Sequence, residues 1–422
     1  MSTPGQSGTL LIRGATLWDG SGDAVRDDVA VRIEGSRIAA IGRTAEFGAR
    51  PASGAEIDGR GLFLMPGLIN MHEHLIFRGT VGPPASALGR GVPELTIHAV
   101  RVAATALAQG ITTVRDMGTK FEIALRLRDA IGAGQILGPR ILACNSAIRV
   151  TGGHGYQAVH ADGVAEFQRA ARTQLAAGAD FIKVMASHDP TPMPGPEPTR
   201  AECTVDELRA AFEVAHDWGH HAGCHVMGVT AISRALDAGA NVIDHGHFLT
   251  VDQATRMARD GVTFTPTLSA YDVQTMHPRF RRGAAWKEAH DALRSGHASA
   301  MRAAVSAGVT LVVGTDSVGC YAEEVDLLRK AGVGTMESLR ACTSNAARAL
   351  GLDREIGTIS VGRTADIVAL RADPRTDPYA LEQVQLVIRE GRVHRPADLT
   401  YAESALPSEA SLTTLVRSPS TA

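Results

Sequence analysis

From Gly61 onward the chain alternates short apolar runs with amphipathic helical stretches, and no other feature restricts its fold as much. Eight runs read as strands: Leu62–Asn70, Thr112–Asp116, Arg140–Asn145, Asp180–Met185, His221–His225, Asn241–His245, Thr263–Thr267 and Thr310–Thr315. Helical segments separate them. Val205–Trp218 has Thr204 and Glu207 at capping-box spacing, and Val229–Ala238 ends against Gly239. Eight such units over roughly 250 residues predict an α/β protein built on a (β/α)8 TIM-type barrel. The rhythm is different before and after. Thr9 to Ile57 carries short β-type runs broken by Gly and Asp, and strand character returns at Gly357–Leu370 and Gln383–Val393. We therefore expect a small discontinuous β-sandwich domain assembled from both termini. The expected division is 1–60 and 352–397 for the small domain, 61–351 for the barrel, and 398–422 for a Ser/Thr/Ala/Glu-rich tail that is disordered or packs on a neighbouring subunit.

With 44% hydrophobic and 21% charged residues among 422, the chain has material for a large core and a smaller one. Its net charge of −3 and lack of basic runs argue against nucleic acid as a partner. Neither a secretory leader nor an apolar stretch long enough to cross a bilayer is legible, so the expected location is the cytoplasm, away from membranes. Five scattered cysteines without a CxxC pair suggest free thiols.

In a barrel of this kind the working face lies at the carboxyl ends of the strands. His72 and His74 stand at the end of strand one, Lys183 on strand four, His225 at the end of strand five, His245 at the end of strand six, and Asp316 just past strand eight. Each has a bland explanation alone: a core histidine bonded to a carbonyl, or an aspartate capping the next helix. Lys183 is harder to explain, because a lysine within Phe-Ile-Lys-Val-Met is a buried charge without an obvious partner. Imidazole and carboxylate donors converging on one face suit zinc, with manganese, iron or cobalt as substitutes. A desolvated amine can also take up carbon dioxide as a carbamate able to bridge two ions, which makes N6-carboxylysine at Lys183 and a pair of divalent metal ions the expected cofactors. Cys224, beside His225, reads as packing.

These residues resemble the amidohydrolase superfamily, from Leu10 to about Arg395. The likeness rests on Met65-Pro66-Gly67-Leu68-Ile69-Asn70-Met71-His72-Glu73-His74, Gly110–Asp116, Ile182-Lys183-Val184-Met185, Ile243-Asp244-His245-Gly246, Gly314-Thr315-Asp316 and Thr343–Gly351. Within the superfamily the chain is most similar to the prolidase-like branch, whose members hydrolyse Xaa-Pro dipeptides, N-acyl amino acids and the amide of ochratoxin. The resemblance implies His72, His74 and Asp316 on one metal, His225 and His245 on the other, and carboxylated Lys183 between them. It also implies that a metal-bridging hydroxide attacks the amide while Asp316 serves as general base and then acid. His154, in Thr151-Gly152-Gly153-His154-Gly155, is similar to a histidine that helps hold the substrate carboxylate in that branch.

The pattern departs from the branch in two places. Met227, two positions after His225, stands where a polar residue is common and cannot donate a hydrogen bond. The loop after Lys183 is Pro-rich, with Pro190–Pro198 suggesting a stiff rim and His188 available as a substrate contact or as a solvated loop residue. Tyr271, past strand seven, could donate to a substrate oxygen or pack on the rim. His220, His221 and His247 flank ligand strands and read as packing behind the ligands or exposed, and Trp286, His290 and His297 show no ligand spacing. A small-molecule amide substrate and a homo-oligomer of the chain are the expected partners. Competing readings are a mononuclear cyclic-amidine deaminase, an ester, lactone or carbamate hydrolase on the same site, and a non-catalytic scaffold.

Overall fold

A computed structural model describes residues 8–48, 54–78, 89–155, 157–188, 199–271 and 284–399, with backbone alone at 284–287, 289 and 290. The Pro190–Pro198 rim and residues 400–422 of the expected tail lie outside the described residues, as do the side chains of Trp286 and His290.

The chain begins with β1 (Thr9–Trp18), β2 (Val25–Glu34), β3 (Arg37–Arg43), β4 (Ala55–Asp58) and β5 (Phe63–Pro66). The run Leu62–Asn70, read from the sequence as one strand, is two. β5 pairs in parallel with β1, whereas β6 (Leu68–Glu73) pairs with β7 (Ile111–Asp116) in a different sheet. The break falls at Gly67, where a Cβ would lie 2.2 Å from the Thr112 hydroxyl, so only glycine lets the two sheets approach there.

β6, β7 and β8 (Arg140–Ala143) form one parallel three-stranded sheet. β9 (Ile148–Arg149), β10 (Val159–His160), β11 (Phe181–Met185), β12 (His221–Val226), β13 (Val242–His245) and β14 (Thr263–Thr265) form a second, in the order β10-β9-β11-β12-β13-β14. β6, β7 and β11 are buried along their whole length, as continuous apolar runs covered on both faces should be. Helices intervene, including Val164–Ala176, Val205–Asp217 and Val229–Asp237. The Thr204–Glu207 capping box is present: Thr204 Oγ1 accepts from the Glu207 amide at 3.3 Å and Glu207 accepts from the Thr204 amide at 2.8 Å. Gly239, at φ +90°, turns the chain after the third of these helices.

Thr310–Thr315 forms no extended ladder. It makes a single parallel bridge, Phe264 with Leu311, and donates the Val312 amide to the Phe264 carbonyl at 3.0 Å. Val313 then accepts from the Met71 amide at 2.8 Å, linking this segment to β6.

The chain ends in β15 (Ile367–Leu370), β16 (Val384–Arg389) and β17 (Arg392–His394). These join the first strands in one eight-stranded sheet, β17-β16-β15-β5-β1-β2-β3, with β4 beside β1. The pairing is thus of a single continuous mixed sheet. Among the described residues the strand pairing does not show the expected two-layer sandwich, and the strands of both termini pair as one sheet. Leu17, Val31, Ile33, Leu64, Ile367 and Ile388 belong to its apolar core, separate from the large core between the parallel strands and their helices. No helix among the described residues is long and apolar enough to cross a membrane, and all five cysteines are buried free thiols.

Candidate metal centre

His72, His74 and Asp316 converge so closely that one ligand atom from each lies within 4.8 Å of the others. The other imidazoles adjoin them: His245 is 4.7 Å from His72 and 4.5 Å from His225, centroid to centroid. His245 and Asp316 take left-handed backbone conformations, φ +71° and +52°, unusual for residues with side chains and common where a site dictates the geometry.

The ring orientations follow from what each Nδ1 meets. His74 Nδ1 lies 3.2 Å from the Gly118 carbonyl and must donate to it. His245 Nδ1 is 2.7 Å from Thr267 Oγ1, whose own proton goes to the Pro266 carbonyl at 2.6 Å, so here too Nδ1 carries the hydrogen. Both rings are left with an Nε2 lone pair, the usual arrangement for a metal-binding histidine. His72 Nδ1 faces Asp244 Oδ1 at 3.2 Å, out of line for a hydrogen bond. Burial lowers the pKa of His72, and burial together with neighbouring imidazoles lowers those of His225 and His245 far below the ordinary histidine value. Neutral imidazoles are what a cation binds. Burial alone would raise Asp316, but His72, His74 and the Ser317 amide, which donates to Oδ1 at 2.6 Å, outweigh it and hold the carboxyl below its usual range. A cluster of buried neutral imidazoles beside an ionised carboxylate fits a divalent ion.

Lys183 corrects one sequence argument. Its side chain is fully buried, yet it has a partner: Nζ sits 2.5 Å from Asp244 Oδ2. Burial of the lysine is therefore no argument by itself for a carbamate. Asp244 opposes burial through Lys183 and His72 and is held well below the usual carboxylate range. Asp244 was missed, although its signal was present, since an acid and a lysine on neighbouring apolar strands are each tolerable in a core only as a pair. Arg115 was missed as well. It is buried, with its guanidinium 4.1 Å from the Phe181 ring centroid and Nη1 3.8 Å from Asp244 Oδ1.

His154 stacks on His225, with centroids 4.4 Å apart and planes 23° apart. Its amide donates to Glu202 at 2.8 Å, and His188 lies beyond it at 6.2 Å. Tyr271 meets His245 edge-on at 5.5 Å and His247 at 4.2 Å, and it packs with Met227, which is wholly buried in an apolar cluster with Ala270 and Leu293. His297, assigned no role from its spacing, is buried 4.0 Å from His247. Of the histidines flanking ligand strands, His247 is buried, His221 is exposed, and His220 bonds the Asp180 carbonyl at 2.9 Å. Cys224 packs in the large core.

Residues 63–394 match the model of the amidohydrolase family. The chain is 27% identical to the ochratoxinase of Aspergillus niger, over 89% of its own length and 84% of that protein's. Among solved structures it resembles a Xaa-Pro dipeptidase with bound methionine in its active site, at TM-score 0.83 and 26% identity over 92% of this chain and 100% of that one. A putative prolidase from Bifidobacterium longum is likewise similar, at TM-score 0.83 and 29% identity over 97% and 99% of the two chains.

Proposed function

Because the chain belongs to the amidohydrolase family and matches its prolidase-like branch, we propose that it is a metal-dependent hydrolase of small amides. Such an amide carries a carboxylate beside the scissile bond, as in N-acyl amino acids, Xaa-Pro dipeptides and ochratoxin-like amides. The observation that carries the reading is the convergence of His72, His74 and Asp316 within 4.8 Å, with His225, His245 and Lys183 around them. His72, His74 and Asp316 would hold one divalent ion, His225 and His245 a second, and Lys183 as its carbamate would join them, with zinc the metal that best suits this donor set. When bound, the ions supply Lewis acidity, lowering the pKa of water and polarising the scissile carbonyl.

The chain's own residues do the rest. Asp316 Oδ1 is engaged by the Ser317 amide, which leaves Oδ2 to take a proton from the attacking water and return it to the leaving nitrogen. His154, stacked on His225, and His188 beyond it would bind the substrate carboxylate, and Tyr271, edge-on to His245, would meet the substrate from the other side. The two parallel sheets are read as one (β/α)8 barrel. Its support is the set of backbone bonds across their gaps, Asp180 N–H to Ala143 O at 2.8 Å, Phe264 N–H to Thr310 O at 2.9 Å and Met71 N–H to Val313 O at 2.8 Å. The eight-stranded sheet is read as a second, smaller domain, and the assembly as a homo-oligomer in the cytoplasm.

Metal analysis by emission spectroscopy, with hydrolysis of a panel of N-acyl amino acids, Xaa-Pro dipeptides, esters and lactones, tests the proposal. About two ions per chain and turnover of an amide are expected. A chain that binds no metal, or that cleaves only esters or lactones, rejects it.

A further inference from the structure

Three side chains near the candidate centre each keep a buried polar atom without an aligned hydrogen bond, His72 Nδ1, Asp244 Oδ1 and Arg115 Nη2; His72 Nδ1 lies 3.2 Å and Arg115 Nη1 3.8 Å from Asp244 Oδ1. Orphaned polar atoms in a core are rare and call for a reason. The fourth member of the group, Lys183 Nζ, occupies the other oxygen of Asp244 at 2.5 Å. One carboxylate thus stands among two cations and an imidazole and satisfies only the lysine well.

Resting on the metal-dependent reading above, we propose that Asp244 is an exchangeable counter-ion and a positioning residue. It holds the Lys183 ammonium before the metal centre assembles, and it turns to His72 and Arg115 once Lys183 is drawn into that centre as a carbamate. The covalent step balances with carbon dioxide as co-reactant and water as proton acceptor: the ammonium gives a proton to water, its lone pair forms the N–C bond as one C=O π pair moves to oxygen, and a second proton passes from nitrogen to water. The side chain changes from +1 to −1, so Asp244 loses its cation and acquires an anionic neighbour.

The surroundings are built for that exchange. Arg115 keeps its charge at any relevant pH and is held in place by Phe181 at 4.1 Å. Gly223, on the strand between those of Lys183 and Asp244, leaves room for it, since a Cβ there would come within 2.7 Å of Arg115 Nη2. On the other side His72 Nδ1 already stands 3.2 Å from Oδ1, and a modest rotation of the carboxylate aligns the two. A carboxylate on Nδ1 fixes the tautomer that presents Nε2 to a metal and makes the ring a better donor. His74 and His245 obtain the same service from the Gly118 carbonyl and Thr267.

Competition with a chromophoric chelator measures zinc affinity directly, without reference to turnover. Asp244→Asn should weaken zinc binding by about 10- to 100-fold. That variant strands the Lys183 ammonium, so the comparison of Lys183→Met with Lys183→Met/Asp244→Asn, which lacks both charges, decides the matter even if the single variant fails to fold. The double variant should still bind zinc about 10-fold more weakly than Lys183→Met, because His72 has lost its partner. Equal affinities would reduce Asp244 to a mere counter-ion for Lys183 and overturn the proposal. So would a Lys183→Met chain unable to bind zinc, since His72, His74 and Asp316 must hold one ion without the bridge. Wild-type protein that binds no zinc would instead remove the metal-dependent reading itself.

Discussion

The core of the eight-stranded sheet and the interior of the candidate centre are both closed to water, but they are filled by opposite kinds of side chain. Leu17, Ile33, Leu64, Ile367 and Ile388 meet in the sheet, brought together from the two ends of the chain, and each contributes by the apolar area it removes from solvent, about 1.5–3 kcal/mol for a full side chain. His72, Lys183, Asp244, Arg115 and His245 are equally buried, and for them burial is a cost offset only by their partners. Breaking one such pair costs about 3–5 kcal/mol, whereas a matched apolar pair in its place is often neutral or stabilising. Stability alone gives no reason to keep these groups. Apolar clusters such as the sheet's core stabilise the fold, whereas the charged interior is stable only through its own pairings.

The contrast predicts that substitutions in the two regions separate activity from stability. Lys183→Ala removes the proposed bridge between the ions and should lower kcat/KM by on the order of 10⁴-fold, with folded protein still recovered once Asp244 is also made Asn. Full activity in either variant would reject a binuclear centre that depends on Lys183. Asp316→Asn should lower kcat by about 10²–10⁴-fold, the range for loss of a group that both accepts and donates the transferred proton. Thermal unfolding of Asp316→Asn should stay close to wild type, and a large fall in melting temperature would instead mark Asp316 as structural.

In the sheet the expected effects are reversed. Leu17→Ala, at a fully buried position, should cost about 2–5 kcal/mol in denaturant unfolding while leaving kcat/KM per folded molecule unchanged. A loss of activity greater than the loss of folded protein would show that the sheet couples to the centre.

How far each region could be read in advance follows from the same physics. Periodicity exposes apolar strands and caps, which is why β7, β11, β12 and the Thr204 capping box were legible as runs of residues. It does not reveal which sheet a strand joins. Leu62–Asn70 reads as one strand because its apolar run is continuous, and only the collision awaiting a Cβ at Gly67 divides it. Thr310–Thr315 is apolar enough for a strand yet forms one bridge, its backbone groups going instead to Phe264, Met71 and His72. At the site, His72, His74 and Asp316 stand out by residue type and place. Asp244, Arg115 and Thr267 do not, because each acts on another side chain and is recognised only when the strands are laid side by side.

The smallest effect expected lies between the two regions, at Glu324. Its carboxylate is fully buried and accepts from the amides of Leu268 at 2.9 Å and Ser269 at 2.7 Å, fastening the turn that leads to Tyr271. Burial pushes its pKa up to about 7, against the pull of those amides. A carboxyl whose folded pKa lies above its unfolded value binds more protons when folded, so its contribution to stability is fully present below the unfolded pKa and is lost as pH rises toward 7. Between pH 5 and 8 the wild type should therefore lose on the order of 1–3 kcal/mol of stability that Glu324→Gln does not lose, measured as the difference in slope of unfolding free energy against pH. Parallel slopes would mean that the two amides keep Glu324 ionised in the folded chain, and that the turn beside Tyr271 is held by a permanent charge like those around Lys183.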